Sequence, residues 1–178
     1  MSFERLESTS AALRRAFDRS FAEARGARVD TLENLLAIRV GDDPYAVRLA
    51  EIASLHADRK VVPLPSRTPE LLGLAGFRGA MAPVYDLRTL LGYARRSAPR
   101  WLLLVRTPDL VGLAFDLFEA HMRTPAENIS STENGGASSL HVRGVVRTAD
   151  GVRPLIHTAS LIEAITRRAR PDKPPKEH

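Results

Sequence analysis

The sequence has no cysteine, so disulfides, thiolate metal sites and thiol catalysis are excluded. Aromatic residues make up only 6% of it, with a single tryptophan. That is sparse for a surface that stacks bases between basic side chains. No apolar run approaches the roughly 20 residues a transmembrane helix needs. The opening MSFERLESTS lacks a basic stretch followed by an apolar one, so no secretory leader is read there. These absences lead us to expect a globular cytoplasmic protein with no direct membrane insertion. The chain is 178 residues long, 44% hydrophobic and 26% charged, and suits one domain or two small subdomains that share a core.

The net charge is +5. Much of it lies at the end of the chain, where Arg167, Arg168, Arg170, Lys173 and Lys176 outnumber Asp172 and Glu177. The rest is nearly neutral. A basic, proline-rich tail over 167–178 is expected to be disordered and solvated, with an acidic partner as the alternative.

Residues 3–25 carry a helical period. Phe3, Leu6, Ser10, Leu13, Ala16, Phe17, Phe21 and Ala24 fall on one stripe. Arg14, Arg15, Asp18, Arg19 and Glu23 lie off it, which makes an amphipathic helix. From Leu32 onward the segments are short, rich in Val, Ile and Leu, and punctuated by turns. Strands are expected at 35–40, 45–49, 52–55, 80–85, 101–106, 110–117, 142–147 and 152–156. Pro83 within its strand suggests an edge or a bulge. One helical turn is expected over 69–72, another over 87–91 ended by Gly92, and a terminal helix from Leu161. Asn134-Gly135-Gly136 reads as a polar loop. Arg78-Gly79 and Arg143-Gly144 look like matching points in two similar halves. Eight to ten short strands without alternating long helices favour barrels or sandwiches over a parallel α/β sheet.

Chemistry-bearing motifs are few. His56, His121, His141, His157 and His178 have no metal-ligand spacing. There is no Gly-x-Ser-x-Gly elbow and no phosphate-cradling loop. Gly73, Gly76 and Gly79 form G-x-x-G-x-x-G, which is not a dinucleotide fingerprint; turn geometry explains it better, with glycine supplying positive φ or letting backbones approach closely. No catalysis, cofactor or metal is expected. A nucleic-acid-binding barrel is the rival class, and the scarcity of aromatics weighs against it.

Residues 59–92 are more specific. Val61-Val62-Pro63-Leu64-Pro65 is followed by Leu72-Gly73, Gly76-Phe77-Arg78-Gly79, Pro83-Val84-Tyr85-Asp86-Leu87-Arg88 and Leu91-Gly92. This series resembles the CheW family of chemotaxis coupling proteins. Val111-Gly112-Leu113-Ala114-Phe115-Asp116 is similar to a strand of that family's second half, and Arg143-Gly144-Val145 through Leu155-Ile156 to its last hairpin. The resemblance implies an all-β fold with flanking helices: two small five-stranded, SH3-like β-barrels that share an apolar seam. With the helical stripe and basic tail read above, the chain divides into an N-terminal helix and linker (1–31), a departure from many family members, a two-barrel domain (32–166) and the tail (167–178).

The resemblance also implies a non-enzymatic adaptor. Its expected partners are the regulatory domain of a CheA-type histidine kinase and the cytoplasmic tip of a methyl-accepting chemoreceptor, with self-association or ring assembly open. Partner-binding candidates are Ile52, Ser54, Gly76, Phe77, Arg78 and Gly79, with Arg78 first because its guanidinium forks onto carboxylates or carbonyls. An internal role for Arg78, paired with Asp86 or capping its turn, is the alternative. Ile52 is interface or core. Gly73, Pro83, Asp86, Gly112, Asp116 and Gly144 are read as structural, Asp86 as an acceptor for turn amides. The family usually has Asn at Gly76, often Glu at Ser54, and Asp or Asn at His157. The first two departures raise the alternative of a divergent adaptor with a changed receptor, or none.

Overall fold

The computed structural model describes residues 31–94, 99–131 and 141–169. The expected N-terminal helix, the loop at 134–136 and the end of the basic tail lie outside these residues. Among them are eleven strands: β1 (Leu32–Val40), β2 (Asp43–Arg48), β3 (Ile52–Ala57), β4 (Leu71–Phe77), β5 (Ala80–Asp86), β6 (Trp101–Val105), β7 (Val111–Phe115), β8 (Leu117–Pro125), β9 (Ile129–Ser131), β10 (Val142–Thr148) and β11 (Gly151–Ile156). A short α1 (Leu87–Leu90) follows β5, and α2 (Thr158–Ala169) ends the described chain.

The strands form two sheets. The first is ordered β8-β1-β2-β11-β10-β9, and the second β3-β6-β7-β5-β4. The second has the five strands expected of each barrel, and the first carries one more, the three-residue β9. The sheets interleave along the chain instead of following one another. The second sheet is one continuous insertion, β3–β7, between the strands of the first. The two apparent halves are therefore not structural repeats. Arg78-Gly79 is a hairpin turn, whereas Arg143-Gly144 lies within β10.

Side-chain alternation divides the apolar residues into three groups. Leu35, Ala46, Val146 and Leu155 fill the interior of the first barrel. Ala75, Phe77, Ala82, Val84, Leu102, Leu104 and Ala114 fill the second. Between the sheets runs the largest group, with Ile38 and Val40 from β1 meeting Leu103 and Val105 from β6 and Leu113 and Phe115 from β7. Leu87 of α1 and Leu161 and Ile165 of α2 close this seam. Strands at the seam are buried on both faces, which is why β6 reads WLLLV without alternation. Each fully buried Leu, Val or Phe there contributes about 1.5–3 kcal/mol relative to exposure.

Four sequence expectations are corrected. Residues 71–72 open β4 and are not a helical turn; the preceding turn is closed by Leu71 N donating to Thr68 O (3.1 Å). Gly73 and Gly76 are accordingly strand residues and only Gly79 of the three is in a turn, although the expected positive φ is present at Gly73 and Gly79 and the expected close backbone approach at Gly73. Pro83 is not on an edge strand, since β5 runs between β7 and β4, although the alternative of a bulge is met nearby, where the β4–β5 register shifts between Leu71 and Gly73, opposite Tyr85 and Val84. Its missing N–H is tolerated because the parallel ladder to β7 starts one residue later, at Val84. Finally, α2 continues to Ala169, so the first residues assigned to a disordered tail are helical. Arg168 there pairs with the buried Glu70 just before β4.

Candidate functional site

The β4–β5 hairpin is the most informative local structure. Phe77 and Ala80 are paired, so the loop has two residues, Arg78 and Gly79. Both have positive φ, +47° and +87°. A two-residue hairpin of type I′ requires this, because its backbone twist matches that of the flanking strands. Asn-Gly or Asp-Gly are the residues that adopt it readily. An arginine at the first position costs about 1–2 kcal/mol of backbone strain. Local folding does not explain its presence.

Nor does any internal partner. Arg78 is exposed and makes no hydrogen bond or ion pair among the described residues. Asp86 lies at the far end of β5, about 20 Å away at about 3.3 Å per residue, and is otherwise engaged. Its Oδ1 accepts from Arg88 N (3.0 Å) and its Oδ2 from Thr89 Oγ1 (3.3 Å), capping α1.

Beneath the turn, His56 of β3 stacks against Phe77 with ring centroids 5.0 Å apart. Arg59 sets its guanidinium 5.4 Å from the same ring, a cation–π contact. Ser54 Oγ and His56 Nε2 are 2.9 Å apart. Burial lowers the His56 pKa, and the charges of Arg59 and Arg78 lower it further. The site is thus cationic around a buried aromatic ring. Alongside it lie exposed apolar residues: Met81 opposite Gly76, and Val62 bridged to Leu74 of β4. A Cβ on Gly76 would sit 3.7 Å from the Met81 sulfur, so glycine leaves Met81 uncovered.

The structure brings Ser54, Phe77, Arg78 and Gly79 together and sets Gly76 beside them. Ile52 is separate in role: only 4% exposed, it belongs to the seam and offers no side chain to a partner. Phe77 is also buried and acts through what packs on it. Sequence reading missed His56 and Arg59. The signal for His56 was its position two residues after Ser54, on the same face of a strand.

The residues read as structural form a second constellation. Asp116, at the crossing from β7 to β8, accepts from Gly41 N in the β1–β2 turn (2.5 Å) and from Arg88 Nε (2.6 Å). Asp116 and Arg88 pair in two places and are largely buried. Gly112 sits where β7 meets β5 and β6. Gly144 allows β10 to approach β9, since a Cβ there would lie 2.6 Å from Ser130 O.

The start of α2 is held by groups the sequence did not reveal. Glu51 Oε2 accepts from Thr158 N (3.2 Å) and Thr158 Oγ1 (2.5 Å), and His157 Nδ1 accepts from Ser160 N (3.2 Å). His157 thus performs the capping that an Asp or Asn would. The buried His141 joins them, its Nδ1 3.2 Å from Ser160 Oγ. Since that hydroxyl donates to His157 O (2.8 Å), His141 is the donor in the pair. Burial lowers the His141 pKa and the charge of Arg167 adds to this. As pH falls through the ordinary histidine range, the unfolded chain takes up a proton that the folded chain resists. Stability is therefore expected to decline from about pH 6.5 until the lower folded-state value is passed. Urea midpoints compared across this interval should show the decline, and His141→Gln should flatten it. An unchanged slope in the variant would remove His141 as the cause.

Comparison with known proteins places this architecture. Residues 34–166 match the CheW-like domain. The chain belongs to the CheW-like family. The family is one of scaffolds and adaptors in chemotaxis signalling. Protein FrzA of Myxococcus xanthus is 28% identical over 144 residues, covering 77% of this chain and 89% of FrzA. The chemotaxis protein CheW of Rhizobium meliloti is 29% identical over 85 residues, covering 46% of this chain and 55% of that protein. The scaffolding protein TtCheW from Thermoanaerobacter tengcongensis has the same fold, with a TM-score of 0.65 at 17% identity over 71% of this chain and 89% of TtCheW. The CheW-like barrels of this chain thus account for the two sheets and their seam.

Proposed function

We propose that this CheW-like protein is a non-enzymatic cytoplasmic coupler, binding the regulatory domain of a CheA-type histidine kinase and the helical tip of a chemoreceptor. The observation that carries this reading is Arg78. It occupies a turn position where arginine is unfavourable, it is exposed, and it is unpaired among the described residues. Backbone strain that local folding does not need supports a role in recognition. A guanidinium held on a rigid hairpin suits a carboxylate or the carbonyls ending a partner helix. Ser54, Gly76 and Gly79 complete the contact surface, and Phe77 supports it from beneath, while Ile52 belongs to the seam.

Two features favour a specialised receptor surface over the family's ordinary one. Ser54 supplies no carboxylate to Arg78, and Gly76 leaves Met81 uncovered. The partner should accordingly present both an acidic group and an apolar contact. Arg78→Glu is expected to weaken binding of the kinase domain or receptor tip by at least about 30-fold, since it replaces a charge-assisted contact worth roughly 2 kcal/mol or more with repulsion. Stability should stay within about 1 kcal/mol, as for other exposed sites. Titration calorimetry and urea unfolding of the same preparation check both. A large stability loss would make Arg78 structural, and unaltered binding would remove it from the interface.

A further inference from the structure

Among the described residues, the first barrel has a gap in its wall, remote in sequence from Arg78. Strand β8 pairs with β1 alone, so its other edge is free among the described residues. Strand β10 pairs with β9 only over Gly144–Val146, and beyond that its Arg147 and Thr148 bond solely to β11. Between these edges lies an open cavity of about 500 Å³, lined by residues 122–125, Asn128 and residues 147–149. Such a slot presents unpaired backbone groups on both sides, the arrangement to which an extended peptide adds as a strand.

The lining shows what kind of segment fits. Arg123 and Arg147 both border the cavity, both are exposed, and neither has an ion-pair partner among the described residues. No carboxylate among the described residues lines it. The neighbouring Glu127 has an interaction of its own, and Asp150 is in the exposed β10–β11 turn. Thr124, only 6% exposed, also borders the cavity. The chain's own basic tail is of the wrong sign.

We propose that this gap receives an extended acidic segment of a partner protein. The segment pairs its backbone with the free edges of β8 and β10 and sets its carboxylates against Arg123 and Arg147. Residues 122–125 span about 13 Å at about 3.3 Å per residue, room for a short strand. A small anion would leave both edges unpaired, and the cavity is too open to enclose one.

The test is fluorescence anisotropy of the full chain with a short blocked peptide of alternating Glu and Val. Binding is expected, weakening with added salt, and reduced by about tenfold or more in each of Arg123→Glu and Arg147→Glu with unchanged melting. A backbone N-methylated version of the peptide should not bind. Absence of binding at about millimolar peptide, equal binding of the N-methylated peptide, or equal binding by the charge-reversed proteins would overturn the proposal. Displacement of the peptide by inorganic pyrophosphate would also do so, by making the gap a small-anion site.

Discussion

Gly73→Ala is expected to destabilise the protein by about 3–5 kcal/mol, among the largest effects of any single substitution. Gly73 lies within β4 at φ +147°, a conformation that side chains rarely adopt. A Cβ there would stand 2.0 Å from Val62 O and 2.9 Å from Pro63 Cα, both backbone atoms that cannot swing aside. That carbonyl accepts from Leu74 N (2.9 Å), while Val62 N donates to Leu74 O (2.8 Å). Relief of the clash would break this bridge and release the Val62–Pro65 segment from the sheet. Backbone strain of about 1–3 kcal/mol and overpacking of about 1–3 kcal/mol then add to the loss of two hydrogen bonds. Urea unfolding checks it, with Gly79→Asn as the control. Gly79 also has positive φ, but nothing lies within 4 Å of its Cβ position, and asparagine tolerates the turn. Equal, small effects at both positions would show that β4 does not pass as close to Val62 as described.

Asp116→Ala should cost a similar amount, about 3–5 kcal/mol, because it removes one partner of a largely buried ion pair. The carboxylate also accepts from Gly41 N, so it joins the first sheet's β1–β2 turn to the second sheet's α1. Its loss would loosen the seam between the barrels as well as leave Arg88 without its carboxylate. Asp116→Asn keeps an acceptor for Gly41 and should cost less. Arg88→Met combined with Asp116→Ala should recover part of the stability, since replacing both members leaves no half of the pair behind. Strictly additive losses in this double-mutant cycle would show that the pair contributes no coupling.

The two-barrel architecture was legible mainly through ordered motifs between residues 33 and 166, with the alternating apolar segments beside them. The interleaving of the sheets was not. Strand pairing is non-local, and nothing in the sequence states that β1 pairs with both β2 and β8. Strand β4 was hidden because its glycines look like turn residues. They are there because Val62 passes so close to Gly73 and because Gly76 sits opposite Met81. Strand β8, LFEAHMRTP, has little apolar character since its residues are largely solvent-facing.

Arg78 was visible because a motif marked it. Its strained turn was not visible, as a positive φ at a non-glycine residue leaves no compositional trace. His56 and Arg59 were missed for a related reason. What makes them part of the site is contact with Phe77 across the closure of the barrel, and their own sequence neighbourhood is ordinary.

The role proposed for this chain is to join a kinase to a receptor. Calorimetric titration with the regulatory domain of the CheA-type kinase from the same organism, followed by addition of the receptor tip, tests it most directly. Roughly micromolar binding, about 8 kcal/mol, to the kinase domain is expected, and then receptor binding that Arg78→Glu abolishes. Binding to neither partner would contradict it.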